Sequence, residues 1–269
     1  MPSFIDMHSH VAWGIDDGMP DRDDANASLR AAAQDGLVAI CSTPHFVGGQ
    51  LDDSLVEAIF ARQKQLAALA DSYGIKIYSG GEMFMNESFI RLLDEGWYQT
   101  LNNSCYLLCE FDVQRDIHTI SAYNDYLYEI EVRDMIPVIA HVERYFHEGL
   151  DMDIIEDWKN KGYVFQINRT SLQGLHGSTI QNNAWTLLEN GYAHLVCTDT
   201  HRASGHRVAI LSDIHETVVE RVGEAWATEL FYNNPLRILL NRKVHDLDPD
   251  QKVEPQTSFF KKSRTWLRR

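Results

Sequence analysis

Phe4-Ile5-Asp6-Met7-His8-Ser9-His10 decides the fold and the chemistry together. A short apolar run ends in two histidines two positions apart. Successive side chains of a strand alternate faces, so His8 and His10 point the same way. Two imidazoles side by side are costly to bury, and gripping a metal ion is the use that offsets the cost. Asp6 shares their face, deeper in the strand. A lone histidine is more often solvated or hydrogen-bonded than a ligand. Three ligand-type residues at period two, ending an apolar strand, point to metal.

Outward from this strand, apolar runs and helical patterns alternate. The loop Val11–Pro20 carries Asp16 and Asp17, and its Gly and Pro mark it as a turn region. A helix follows, with Asp21 or Asp23 as N-cap, Ala-rich through Ala33 and stopped by Gly36. Leu37–Thr43 reads as a strand running into Pro44-His45, and Leu51–Tyr73 as a long amphipathic helix stopped at Gly74. Further strands are Ile75–Tyr78, Cys105–Phe111, Met135–Ala140, Tyr163–Asn168 and His194–Thr198. Helices are expected near Glu87–Glu95, over Thr119–Arg133, Asp151–Lys161 and Ser178–Asn190, and in segments between Val208 and Leu240. Strand and helix in alternation imply parallel strands joined by right-handed crossovers. Seven such strands suggest an α/β barrel like the TIM fold, one unit short.

The 269 residues suit one large α/β domain. We expect a single domain over 1–249 and a short tail over 250–269, because no linker-like stretch precedes Pro249. A net charge of −15 argues against nucleic acid as the main partner, since nothing neutralises a phosphate backbone. Small phosphorylated substrates stay allowed, because bound divalent cations invert the local field. Met1-Pro2-Ser3-Phe4 lacks a basic n-region and a long apolar h-region, and no run is long enough to span a bilayer. Cys41, Cys105, Cys109 and Cys197 lie in apolar, strand-like runs, the usual place of reduced cysteine. A cytoplasmic location is expected. The tail ends Lys261-Lys-Ser-Arg-Thr-Trp-Leu-Arg-Arg269, basic with one aromatic. A frayed terminus is the plain reading, and peripheral contact with a membrane surface or an acidic partner the sharper one.

Ligand-type residues recur where strands end: His8, His10, His45, Glu82, Glu110, His141, Asp199 and His201. In a parallel barrel these ends open on one face, so distant residues converge. Imidazole and carboxylate without thiolate suits manganese, zinc or iron(II), and the carboxylate content suits manganese best. The set is too large for one ion, and two or three is the natural count. Such clusters activate water at neutral pH and clamp an in-line phosphoryl displacement.

In order, Asp6-Met-His-Ser-His10, Asp16-Asp17-Gly18, Thr43-Pro44-His45, Gly81-Glu82, Glu110-Phe111, Ala140-His141-Val-Glu-Arg144 and Thr198-Asp199-Thr-His201 resemble the polymerase-and-histidinol-phosphatase (PHP) superfamily. Within it they are similar to the bacterial capsule and exopolysaccharide tyrosine phosphatases of the CpsB/CapC/YwqE type. The resemblance covers residues 3 to 240 and implies a distorted seven-stranded barrel with a trinuclear, usually manganese, centre. It implies that His8, His10, Glu82 and Asp199 hold one ion, and that Glu82 bridges to a second ion shared with Glu110 and His141. Asp17, His45 and His201 would hold the third, and Asp6 would orient an imidazole rather than bind metal. It also implies two phosphate-gripping arginines. Arg144 is one. Arg207 is favoured as the other, because Gly205 lets its loop turn back over the site, with Arg202 as runner-up. The implied activity is hydrolysis of phosphotyrosine on a tyrosine autokinase that governs capsule synthesis, and an oligomeric assembly stays open.

Competing readings are a histidinol-phosphate phosphatase, a polymerase-associated exonuclease and a metal-dependent amidohydrolase. The last calls for a metal-bridging lysine at a mid-barrel strand end, where this chain has Glu82 and Glu110. A catalytically silent binding module is at odds with the completeness of the ligand set. Cys109-Glu-Phe-Asp-Val-Gln-Arg115 has the spacing of a cysteine phosphatase loop. It carries two carboxylates that repel phosphate and no glycine for close backbone approach. Tyr145 and Phe146 are expected either to line a slot for an aromatic ring or to pack. His206 is the remaining histidine nearest the site in sequence.

Overall fold

The computed structural model describes residues 2–249, so the basic tail over 250–269 lies outside the described residues. Strand β1 (Phe4–Ser9) is buried throughout. Helix α1 (Arg22–Asp35) starts at Asp21, whose carboxylate accepts the Asp23 and Asp24 N–H groups, and stops at Gly36. There φ of +98° needs a residue without a Cβ. The chain continues through β2 (Leu37–Ser42), β3 (His45–Val47), α2 (Asp53–Ala70), β4 (Lys76–Ser79), β5 (Glu82–Phe84), α3 (Phe89–Glu95) and β6 (Tyr106–Glu110). Then follow α4 (Tyr123–Glu131), β7 (Ile136–Ile139), α5 (Met152–Asn160), β8 (Val164–Asn168), α6 (Arg169–Leu172), α7 (Ser178–Glu189), β9 (Leu195–Cys197), α8 (Ser212–Val222), α9 (Glu224–Thr228) and α10 (Asn234–Leu239).

Every strand pairing is parallel, and the order is β1-β2-β4 in one sheet and β3-β5-β6-β7-β8-β9 in the other. The fold is therefore α/β with parallel sheets, but the described residues form nine strands where the sequence suggested seven. The extra ends come from interruptions. Pro44 separates β2 from β3, because it has no N–H to donate to a ladder. Gly80-Gly81 separates β4 from β5. The two β2–β5 pieces therefore hand over from one sheet to the other. Between β1 and the segment after β9 runs an isolated parallel bridge, Ser9 to Thr200, with His10 N–H donating to Thr200 O at 2.8 Å. The expected helix over Thr119–Arg133 is shorter: a tight turn over Ile117–Thr119 precedes α4.

Below the strand ends, Leu108, Val138, Ala140, Val164, Leu195 and Cys197 share one apolar cluster. A second, larger cluster packs helices against the sheets, and Trp158 stands in it with Phe111, Tyr123, Phe146 and Phe165 around its ring. Cys41, Cys109 and Cys197 are buried, Cys105 is half-buried, and all are unpaired thiols. Among the described residues no helix is long and apolar enough to cross a membrane.

Candidate metal centre

The strand ends, with the loop after β1 that carries Asp17, bring the nine ligand candidates into one constellation. His8 Nε2 and His10 Nε2 lie 3.2 Å apart, each 3.1 Å from Glu82 Oε2. Asp199 Oδ1 stands 3.6 Å from the first nitrogen and 3.7 Å from the second. The other oxygen of Glu82 faces His141 Nε2 at 3.3 Å, and Glu110 Oε2 is 3.5 Å from that same nitrogen. His45 Nδ1 is 3.2 Å from Glu82 Oε2 and 3.1 Å from Glu110 Oε1. Its Nε2 and that of His201 flank Asp17 Oδ1 at 3.4 and 3.3 Å. Among the described residues, the groups able to hold a cation draw on these nine side chains and no others.

Charge and burial make the arrangement unusual. His8, His10, Glu82, His141, Asp199 and His201 are almost wholly buried, whereas Asp17 sits at the exposed lip. Burial alone would push the His8 imidazolium down, yet Glu82 and then Asp199 overcome it and lift its pKa to about 9. Burial likewise works against protonated His45, and the Glu82 charge leads the reversal, to about 12. Burial would raise the Glu82 carboxyl, but the His8 and His45 charges hold it well below the usual carboxylate range. Hydrogen bonds from His201 and then His45 lower Asp17. His45 Nδ1 and Glu82 Oε1 are buried without a hydrogen-bond partner. Two residues, His141 (φ +34°) and Asp199 (φ +50°), hold left-handed backbone, a strain of about 1–3 kcal/mol each that the surroundings must sustain. Closely faced imidazole nitrogens, orphaned acceptors and an N/O donor set without thiolate all fit divalent cations.

A second layer aims these side chains. His8 Nδ1 meets Gln166 Oε1 at 3.0 Å, and that oxygen also accepts the His141 N–H at 2.8 Å. Gln166 Nε2 donates to Asn168 Oδ1, and Asn168 Nδ2 donates to Asp199 Oδ2 at 2.8 Å. Gln166 and Asn168 thus tie three of the candidates together. They lie at period two on β8, the same signal that marks His8 and His10, but amide side chains do not read as ligands. Asp16 takes His10 Nδ1 at 2.8 Å and the N–H groups of Gly18 and His45. Gly18 is required there, since a Cβ would stand 2.4 Å from the His10 carbonyl oxygen. Asp6 orients no imidazole, against expectation. Its carboxylate holds the Thr198 N–H and hydroxyl, which fixes the turn that presents Asp199.

Arg144 and Arg207 both line the cavity of about 370 Å³ over the cluster, together with Phe84, Asp112, Val113 and Gln114. Arg207 Nη2 lies 2.8 Å from Asp199 Oδ1 and 3.0 Å from His201 Nε2. Gly205 has φ of +90°, in keeping with a loop that turns back. Arg202 points elsewhere: its Nη1 donates to the carbonyls of Asp17, Gly18 and His201 and so ties down the Asp17 loop. Among the described residues no lysine lines the cavity. Cys109 is buried in β6, where burial pushes its thiol up, and Arg115 reaches the Thr119 carbonyl. That span is no phosphate loop. Tyr145 and Phe146 are wholly buried, so packing wins: the Tyr145 hydroxyl accepts the Phe111 N–H and lies 3.2 Å from His141 Nδ1. His206 is exposed and outside the cavity lining, and its carbonyl accepts from Arg169.

A parallel α/β domain with a histidine–carboxylate cluster at its strand ends defines a class of metal-assisted hydrolase scaffold. Over residues 4–240 the chain belongs to the capsular polysaccharide synthesis family CpsB/CapC. It is 27% identical over 251 residues to the tyrosine-protein phosphatase CpsB of Streptococcus pneumoniae, covering 89% of this chain and 100% of that one. The putative tyrosine-protein phosphatase CapC of Staphylococcus aureus is 25% identical over 260 residues, covering 95% and 98%. A crystal structure from work on YwqE of Bacillus subtilis and CpsB of Streptococcus pneumoniae, described as unique metal-dependent tyrosine phosphatases, superposes with a TM-score of 0.77. Identity there is 26%, over 93% of this chain and 99% of the other.

Proposed function

We propose that this chain is a metal-dependent protein-tyrosine phosphatase acting in capsule or exopolysaccharide synthesis. The convergence of nine ligand candidates, seven of which line one cavity with Arg144 and Arg207, carries the reading. His8, His10, Glu82 and Asp199 would hold one cation, Glu82, Glu110 and His141 a second, and Asp17, His45 and His201 a third. Bound there, such ions make water nucleophilic at neutral pH and offset the charge of a phosphoryl group. Manganese suits the carboxylate-rich set best, with iron or zinc as alternatives.

The chain's own residues do the rest. Arg144 and Arg207 grip the non-bridging phosphate oxygens, a task for which a planar guanidinium has paired donors. Gln166, Asn168 and Asp16 hold the imidazoles and Asp199 in place, so little reorganisation is needed. The leaving phenolate has a conjugate acid with a pKa of about 10, well below an alkyl alcohol, and departs without a strong general acid.

A tyrosine autokinase is the proposed substrate, the cytoplasm the location, and residues 1–249 one domain. We further read the two sheets as arcs of one distorted seven-unit barrel, with β2–β3 and β4–β5 each a single broken strand. The test is hydrolysis of a phosphotyrosine peptide against phosphoserine peptide and histidinol phosphate, with and without manganese. Preference for phosphotyrosine that depends on the metal supports the function, and preference for histidinol phosphate overturns it.

A further inference from the structure

Beside the cavity over the cluster lies a second one of about 380 Å³. It is lined by Val113, Arg144, His147, His176 and the first residues of α7, from Gly177 to Ile180. Val113 and Arg144 line both cavities, so the two adjoin. Resting on the function proposed above, we propose that this adjoining cavity is a second anion subsite, for a carboxylate or phosphate group carried close to the phosphotyrosine on the same polypeptide.

Three features of the walls favour a negative group. The Arg144 guanidinium makes no hydrogen bond or ion pair with any described residue, and burial first, then the Arg144 charge, push neighbouring His176 down to about 4. A half-buried guanidinium with open donors beside a cavity calls for an oxyanion. Two more nitrogen side chains, His147 and His176, stand in the same walls. His176 Nε2 meets Thr170 Oγ1 at 3.0 Å, and His147 Nε2 lies 3.2 Å from the Val113 carbonyl. Finally, α7 has no side-chain cap, so its opening N–H groups face outward with the positive end of the helix dipole.

Two carboxylates on the neighbouring segments are already engaged. Asp116 accepts the His147 N–H and is paired with His118. Asp112 belongs to the other cavity, where it accepts the Gln114 N–H. Gly177, Ser178 and Thr179 are exposed, so the subsite opens to solvent and a polypeptide can pass across it. In a chain of net charge −15, such a cationic recess beside the reaction cavity distinguishes acidic substrate segments from the bulk surface.

The test is kcat/KM on four substrates in the manganese-loaded protein: free phosphotyrosine, a phosphotyrosine peptide with neutral flanks, one with glutamate flanks, and one with a second phosphotyrosine. We expect wild type to favour one or both anionic peptides about tenfold over the neutral one, mostly through KM, and less so at high salt. The two anionic arms tell carboxylate from phosphate. Thr179→Glu places a negative charge at an exposed first-turn position that helices tolerate well. It should erase the preference and leave free phosphotyrosine turnover unchanged, while Thr179→Lys should keep or enlarge it. Equal kcat/KM for neutral and anionic peptides in wild type overturns the subsite, as does a preference that Thr179→Glu leaves intact. Should free phosphotyrosine not be hydrolysed, the proposed function fails on its own. Anisotropy with non-hydrolysable phosphonate peptides then decides the subsite by the same comparison.

Discussion

Two neighbouring layers of the same strands obey opposite rules. Leu108, Val164 and Cys197 are wholly or almost wholly buried in an apolar cluster. Two residues on, Glu110 and Gln166 stand along the same face, and Asp199 follows just past the end of β9. The lower layer is stable by itself, since each buried side chain adds transfer and packing free energy. The upper layer is a crowd of imidazoles and carboxylates whose burial costs free energy, held in strained backbone at His141 and Asp199. Cations bound there would offset that cost. Stability therefore resides below the rim, and the proposed chemistry on it.

The largest effect that would break this division is expected at His8. His8→Ala, or His141→Ala, should lower kcat/KM on a phosphotyrosine peptide by at least about a thousandfold and reduce bound metal, while thermal melting stays cooperative. Near-wild-type turnover in metal-replete buffer would remove both from the centre. One layer down the pattern inverts. Leu108→Ala should cost about 3 kcal/mol by denaturant unfolding, through lost burial and the cavity left behind, with bound metal per folded chain unchanged. A change in metal content would mean the layers are not separable.

Smaller effects sharpen the boundary. Gln166→Leu removes the acceptor shared by His8 and the His141 N–H, and should weaken metal binding about 10- to 100-fold in a competition assay. An unchanged affinity would reduce Gln166 to a packing role. The smallest effect is on pH. In the metal-free protein His8 titrates near 9, above the value of about 6.5 of an unfolded histidine. Its contribution to stability is then full below about pH 6.5 and lost as pH climbs through 9. The melting temperature of chelated protein should fall by a few degrees over that window. Cation binding must displace the same proton, so metal affinity should instead rise with pH. A melting temperature that increases from pH 6.5 to 9 in chelated protein would contradict the charge arrangement.

What could be read ahead of the structure follows from the same division. His8 and His10 announce themselves because period two on an apolar strand is a geometric statement. His45, Glu82, Glu110, His141, Asp199 and His201 follow because parallel strands open on one face. Gln166 and Asn168 sit in equally informative positions, yet an amide is common in strands and carries no ligand signature. Asp6 shares the face of His8 and His10, and the resemblance implied that it orients an imidazole. Its true partner, Thr198, is 192 residues away and is set by β1 lying beside β9. The breaks at Pro44 and Gly80-Gly81 lie inside stretches that read as continuous strand into loop, since a local pattern does not say where a ladder changes sheet. Tyr145 could not be assigned in advance, because only the fold brings its hydroxyl to the Phe111 N–H.

The central claim is that the nine rim side chains work as a cation site for phosphate hydrolysis. Phosphotyrosine-peptide turnover, followed while exhaustively chelated protein is titrated with manganese and bound metal is counted by elemental analysis, tests it most directly. The account predicts no turnover after chelation and recovery that saturates at two to three ions per chain. Full turnover in protein shown to be metal-free would contradict it.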